Sequence, residues 1–448
     1  MIAQLVTAAD SGSTTNPPAW ITRPLSLADA VDVALQQNSS VLKARSDLEA
    51  SYGVVVQTRA IAIPKIQATG NYTDSDPNAV DRFPFASAGT NLFNFTQPHQ
   101  SWNAGIQVVQ SIYEGGRITS ALRTAKLTKE QALLQYETVV ADTLLATRVA
   151  YYDVLVAEQQ IVVREASVNL LTKELEDQQR RFDAGTVPRF NVLRAEVAVA
   201  NARPALIRAR NAHRIAKNNL VNVLGYNLPR EVWEDVPLQL TDKLEAEPYQ
   251  VELPLAIGQA LEKRSELAAL HKAERLRQEG IVNARSGYKP SLQGFAGWGW
   301  RNSQFTTDLS REVDGWNIGA QLSWNIFDGA LTRGKVMEAK ALHEKSRIEI
   351  DDTARRIELE VRTAYSFFIE AREVLESQKK VQEEADEALR LARARADAGT
   401  GTQLDVLDAQ TSLTEARTTQ VQALHDYAVA RARLERAIGQ NTVLPAMK

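Results

Sequence analysis

The sequence predicts a mainly α-helical chain in which one structural half is used twice. Each half carries long coiled-coil helices and one β-hairpin, so the chain has four strands in all. Three observations predict this. The stretch from Trp102 to Gly225 recurs at Trp316 to Gly439 at a constant offset of 214 residues, with no insertion or deletion. Between Gly116 and Asp183 there is neither proline nor glycine, so residues 117–182 can form one unbroken helix of about 100 Å at about 1.5 Å per residue. Ahead of each long helix the apolar period changes from helical spacing to two, the mark of a half-buried strand.

The repeat is visible by eye. WNAGIQVVQSIYEGG faces WNIGAQLSWNIFDGA, which pairs Trp102 with Trp316, Gly105 with Gly319, Ile112 with Ile326 and Gly115 with Gly329. FDAGTVPRFNVLRA, residues 182–195, likewise faces ADAGTGTQLDVLDA, residues 396–409. A period this long is a half-domain used twice rather than a short solenoid unit. It divides the chain into an extended arm (1–24), a first repeat (25–226), a linker (227–252), a second repeat (253–439) and a short tail (440–448).

The elements follow in order. The Ser/Thr/Pro-rich arm cannot bury enough apolar surface to fold alone. Ser26 and Asp29 have capping-box spacing, and helical periodicity runs from there to about Ile61, where Pro64 stops it. The first hairpin spans 64–113. Ile66, Ala68, Gly70 and Tyr72 lie on one side and Lys65, Gln67, Thr69 and Asn71 on the other. A turn-rich loop follows, and Trp102, Ala104, Ile106 and Val108 then alternate with Asn103, Gly105 and Gln107. The second hairpin spans 290–327. There Leu292, Ala296, Trp298 and Trp300 share a face, and Trp316, Ile318, Ala320, Leu322, Trp324 and Ile326 oppose Asn317, Gly319, Gln321, Ser323 and Asn325. The glycines of Gly294 to Trp300 make room in the sheet wall.

Long helices are expected over 117–182 and 331–396, with return helices over 188–224 and 402–438. In the second repeat Ile357, Val361, Ala364, Phe368, Ala371 and Leu375 open a seam of alternating four- and three-residue steps, a heptad that implies left-handed supercoiling. Ala409, Leu413, Ala416, Ala423, Tyr427, Ala430, Leu434 and Ala437 form the matching seam of the return helix. His213 and Gln420 interrupt the two return seams, and Pro204 should bend the first return helix.

Composition narrows the function. A net charge of −3 offers no basic face for nucleic acid. The absence of cysteine excludes disulfides, thiolate metal sites and a cysteine nucleophile. No run of about 18 apolar residues marks a transmembrane helix, but alternating barrel strands leave almost no trace in hydropathy. The opening residues MIAQLVTAADSGSTTNPP lack a basic and apolar leader, which reads as a mature end after signal-peptide removal. The five histidines form no paired ligand motif, and neither a nucleophile elbow nor a phosphate-binding loop occurs, so no enzyme, metal or cofactor is expected.

Four strands with a tryptophan-rich face cannot close on themselves, so closure needs other chains. Three copies would supply 12 strands, enough to enclose an aqueous lumen lined by Asn103, Gln107, Asn317, Gln321 and Asn325. Trp102, Trp298, Trp300, Trp316 and Trp324 suit lipid contact.

The duplicated Trp-x-x-Gly strand entries, the I-[YF]-[ED]-G junctions and the paired DAGT turns followed by NVL or DVLDA resemble the TolC-type outer-membrane efflux channels over nearly the whole chain. The resemblance implies a homotrimer with a 12-stranded β-barrel in outer-membrane lipid above an α-helical barrel in the periplasm. It implies passive export, a periplasmic adaptor and an inner-membrane pump. It also implies that the turns Asp183, Ala184, Gly185, Thr186 and Asp397, Ala398, Gly399, Thr400 mark the inner tip and meet the adaptor. Asp405 and Asp408 would then form acidic rings at the mouth, with Asn191 and Arg194 at the equivalent first-repeat positions. Read from the residues alone, Thr402 and Asp405 are a helix cap. Relatives that latch the tip with an arginine after the second GT would carry it at Gly401, so any latch here uses other contacts, with Arg189 or Arg194 facing Asp405 or Asp408 as the candidates. Rival readings are a metal-ion efflux duct, a type I protein-secretion duct and a soluble coiled-coil scaffold.

Overall fold

A computed structural model describes residues 19–76, 99–227, 235–303 and 308–440. Most of the expected N-terminal arm, the centre of the first hairpin loop and residues 441–448 of the tail lie outside the described residues. The elements are α1 (Ala19–Thr22), α2 (Leu27–Gln37), α3 (Ser39–Arg59), β1 (Lys65–Asp74), β2 (Gln100–Glu114), α4 (Arg117–Asp183), α5 (Arg189–Val223), α6 (Leu253–Lys263), α7 (Ser265–Arg285), β3 (Ser291–Asn302), β4 (Glu312–Ser323), α8 (Leu331–Asp397) and α9 (Gln403–Ile438). The two long helices have 67 residues each, one more than the sequence suggested.

Three readings change. The end of the arm is not extended: it forms α1 and buries Trp20 and Ile21, because the apolar cluster AWI has a core to enter. The first helical run is two helices, broken at Asn38, whose backbone is extended and whose side-chain oxygen accepts from the Ser40 N–H at 2.8 Å. An asparagine offering its own acceptor competes with the helix for the chain. The last strand stops at Ser323, so Trp324, Asn325 and Ile326 fall outside the sheet. Trp324 instead donates its indole N–H to the Tyr288 carbonyl at 3.2 Å.

The chain forms two compact units, and both long helices run through both. One unit contains Gln135–Glu266 and the chain from Thr353 onward, together with the segment up to Ser46. The other contains Asp47–Leu134 and Leu267–Asp352. In the first unit the heptad readings account for the interior: Ile357, Val361 and Phe368 of α8 and Leu413, Ala416, Ala423, Tyr427, Leu434 and Ala437 of α9 are buried. Alanine at so many seam positions lets the helices approach closely. A second core gathers Trp20, Ile21, Leu25, Tyr151, Leu220 and Leu224. The Tyr151 hydroxyl shares its one proton between two acceptors, the Leu25 carbonyl and the Asp242 carboxylate, both at 2.9 Å. Burial first, and the Asp242 carboxylate second, raise the pKa of that phenol.

The second unit holds one antiparallel sheet in the order β1-β2-β3-β4. Its register puts the two alternations in phase. Tyr72 pairs with Trp102, Ile106 with Trp298, and Trp298 with Trp316, so the tryptophans and the expected apolar rows of all four strands share one face. The other face carries Gln67, Gln107 and Asn317 in one row and Gly105, Gly299 and Gly315 in the next. A bulge at Ser111/Tyr113 shifts the register as β2 ends. β1 and β4 are edge strands in the described chain.

Candidate functional site

Two places hold the residues that the sequence singled out. The first is the pair of helix ends around Asp183–Thr186 and Asp397–Thr400. Each long helix ends on a glycine with positive φ, 74° at Gly185 and 72° at Gly399. In each case the glycine N–H returns to the carbonyl three residues back, Phe182 at 2.8 Å and Ala396 at 3.1 Å. The threonine N–H reaches five back, Thr186 to Arg181 at 2.9 Å and Thr400 to Arg395 at 3.0 Å. This is the Schellman stop, and it explains why glycine is required there. No atom lies within 4 Å of a Cβ built on either glycine, so backbone conformation rather than space sets the requirement. The threonine hydroxyls add a second bond to the same carbonyls, 2.8 Å at Arg181 and 3.2 Å at Arg395.

The return helices differ. α9 opens with a full capping box. The Thr402 N–H and hydroxyl both lie 2.8 Å from the Asp405 carboxylate, and the Asp405 N–H lies 3.2 Å from the Thr402 oxygen. The Thr402 N–H first, then its hydroxyl, hold that carboxyl below the usual range, so it stays ionised. Asp408 is exposed one turn on. α5 instead opens on Pro188 with no side-chain cap. Asn191 is half-buried, and its carbonyl accepts from the Gln403 amide at 3.1 Å. Arg194 lies over the Phe190 ring, 5.8 Å from its centroid.

No ion pair within the chain joins Arg189 or Arg194 to Asp405 or Asp408 among the described residues. The described bridge between the two turns is Arg181, which binds Asp177 at 2.7 Å and Asp397 at 3.0 Å. The sequence reading missed it. Its signal was an arginine two residues before the aspartate of both DAGT turns, Arg181 and Arg395. Gly401 also has a local role: a Cβ there would sit 3.0 Å from the Arg395 Cβ and 3.1 Å from the Ala396 nitrogen. Above the turns Leu389, Val406 and Leu413 pack with Leu170. Gln410, 2% exposed, has neither amide atom hydrogen-bonded to a described residue. It lines a cavity of about 360 Å³ between α4, α5 and α9.

The second place is the sheet. Trp316 is 72% and Trp298 43% exposed on the apolar face. Trp102 and Trp300 are half-buried, and the Trp102 indole donates to the Leu309 carbonyl at 3.0 Å. Trp324, also exposed, stands beyond the end of β4. Among the described residues no group of histidine and carboxylate side chains could hold a metal ion.

A sheet greasy on one side and polar on the other, joined to long heptad helices, defines a channel wall. The chain belongs to the outer membrane efflux protein family, whose model matches residues 30–226 and 256–440, one match per repeat. It is similar to the outer membrane protein TolC of Vibrio cholerae, 24% identical over 423 residues that cover 92% of this chain and 90% of the relative. It is also similar to the cobalt-zinc-cadmium resistance protein CzcC of Cupriavidus metallidurans, 23% identical over 97% of this chain and 95% of the relative. A crystal structure of a membrane protein from Pseudomonas aeruginosa superposes with a TM-score of 0.74 at 22% identity, covering 92% of this chain and 93% of that one. The protein is an exit duct of the bacterial outer membrane, serving efflux or secretion.

Proposed function

We propose that three copies of this chain assemble into a tube: a 12-stranded barrel in outer-membrane lipid, continued by an α-helical barrel in the periplasm. Small molecules pass through it without chemical change. The observation that carries this reading is the sheet, whose central rows are apolar on one face, from Ile66, Val108, Ala296 and Ile318 to Ile106, Trp298 and Trp316, and rich in Asn and Gln on the other, with β1 and β4 at its edges in the described chain. In a bilayer every strand edge must find a partner, so an open four-stranded sheet has to close with other copies. Trp298, Trp300, Trp316, Trp102 and Trp324 then contact lipid or its interface, and the Asn and Gln rows face water.

The DAGT turns form the inner tip and receive a periplasmic adaptor, which couples the duct to an inner-membrane pump. Asp405 and Asp408, three copies of each, ring the mouth and favour cations. Opening exchanges seam contacts near the turns, and the adaptor supplies the differential binding that shifts the population toward the open form. The test is single-channel recording of detergent-extracted protein in a planar bilayer. Discrete cation-selective steps are expected, with selectivity falling when Asp405 and Asp408 both become Asn. A monomer that is soluble without detergent and makes no steps overturns the reading.

A further inference from the structure

The polar face of the sheet differs in charge from the helix tip. Its strand residues include two exposed cations, Lys65 on β1 and Arg301 on β3, neither in an ion pair with a described residue. Its one carboxylate, Glu114, is placed there by pairing with Ser291 and is already bound to Arg117 at 3.0 Å. The same face carries a single aromatic ring among its strand residues, Phe295.

Register brings the ring and one cation into a single row. Lys65 pairs with Val109, Val109 with Phe295, and Phe295 with Gly319. At about 4.8 Å between strands, Lys65 and Phe295 are about 10 Å apart at their backbones, with only the short Val109 side chain between them. The ring is seated on Gly319: a Cβ built there would meet the Phe295 Cζ at 2.7 Å and both Cε atoms at 3.2 Å. A glycine so covered gains shelter and fixes register, which by itself explains the pairing. It also fixes where the ring lies, flat on the wall with its other face turned outward. The adjoining rows are polar, with Gln107, Gly297 and Asn317 on one side and Ser111, Gln293 and Gln321 on the other, so no aromatic or aliphatic side chain flanks the ring in those rows.

We infer that Lys65 and Phe295 form a wall site for aromatic organic anions, which the duct favours over aliphatic anions. The ring takes the flat apolar group, the ammonium takes the carboxylate or sulfonate, and Arg301, three rows along the same strand, extends the positive wall. This rests on the proposal above that the polar face lines the bore.

The test uses the intact trimer in a planar bilayer. Permeability of naphthalene-1-sulfonate is compared with that of methanesulfonate and of sodium, read from reversal potentials. In the unaltered protein naphthalene-1-sulfonate is expected to permeate better than methanesulfonate. Phe295→Ala and Phe295→Leu are each expected to lower that preference roughly threefold to tenfold, the span of an aromatic contact. Phe295→Leu keeps a side chain over Gly319 and guards against misfolding, which trimer mobility in detergent checks. Lys65→Gln is expected to lower both anions relative to sodium by about equal factors and to leave the ring preference intact. Overturning results are a conducting trimer in which the Phe295 variants keep the full preference, or in which Lys65→Gln leaves anion permeability unchanged. Absence of any conductance in the unaltered protein would instead defeat the duct proposal itself.

Discussion

The two repeats break a helix at the same level and close the break with opposite chemistry. Asn38 and Arg264 each stand 26 residues before the proline that opens a hairpin, and each faces the glycine that ends its return helix. A Cβ on Gly225 would collide with the Gln37 carbonyl at 2.3 Å, and one on Gly439 would touch the Arg264 nitrogen at 3.4 Å. The backbone device is therefore shared. The first joint is neutral: the Asn38 amide donates to the Val223 carbonyl at 2.6 Å beside an apolar core. The second is ionic. Arg264 binds Glu266 at 2.9 Å and Glu360 at 2.5 Å, and Arg436 binds Glu266 at 2.5 Å and Asp142 at 2.7 Å. Glu435, held by Arg148 at 2.6 Å and Arg431 at 2.9 Å, stands where the first repeat has the fully buried Val221. Duplication kept the chain path and let the interior diverge, because a helix break needs its polar groups satisfied but does not specify by what.

The largest effect that separates the joints is expected at Glu266. Glu266→Ala leaves Arg264 and Arg436 with half their partners in a buried setting and should cost about 3 kcal/mol, since breaking a buried pair strands the other charge. Urea unfolding in detergent measures it. Acid probes the same joint without mutation. Burial alone raises the Glu266 carboxyl, but hydrogen bonds from Arg264 and Arg436 outweigh it and hold its pKa at about 2, below the ordinary 4.5. A depressed carboxyl contributes stability above the ordinary value and loses it as the pH falls toward its folded value. Amides in the last turn of α6 should therefore lose exchange protection between about pH 4.5 and 2, while those in the last turn of α2, beside the neutral Asn38, keep theirs. Equal loss in both would erase the distinction.

Asn38→Ala removes a cap and strands a carbonyl, for an expected loss of about 1–2 kcal/mol that added salt does not change. At the tip the repeats agree, so Gly185→Ala and Gly399→Ala should each cost about 1 kcal/mol in thermal unfolding, because both glycines hold positive φ. Unequal costs would show that the two stops are not equivalent. The smallest effect has the opposite sign. Gln410→Met removes an amide without described partners from a buried site and should raise stability by up to about 1 kcal/mol, whereas Glu196→Met, at the exposed first-repeat equivalent, should change it by less than about 0.5 kcal/mol.

How far the sequence could be read follows from these places. Which residues share a face of each strand was legible because period-two alternation fixes it, whereas the register was not, since a slip of two residues keeps the same faces together. The capping box at Thr402 and Asp405 was legible because it is local. The break at Asn38 was not, because helical periodicity continues across it, and only the contact with Val223 gives it a reason. The end of β4 was misplaced because Trp324 and Ile326 keep the alternation after the pairing has stopped. Arg181 was passed over because its partner Asp397 lies on the other repeat.

By itself the sequence determined what depends on period and local bonding: the duplication, two-faced strands, heptad seams and glycine stops. Tertiary structure alone decided how each repeat satisfies its buried polar groups, with Asn38 and a carbonyl in one and Arg264, Glu266 and Arg436 in the other. Asn38 meets Val223 across 185 positions and Glu266 meets Arg436 across 170. Side chains so distant meet only when the folded helices bring them together, and no local pattern announces the meeting.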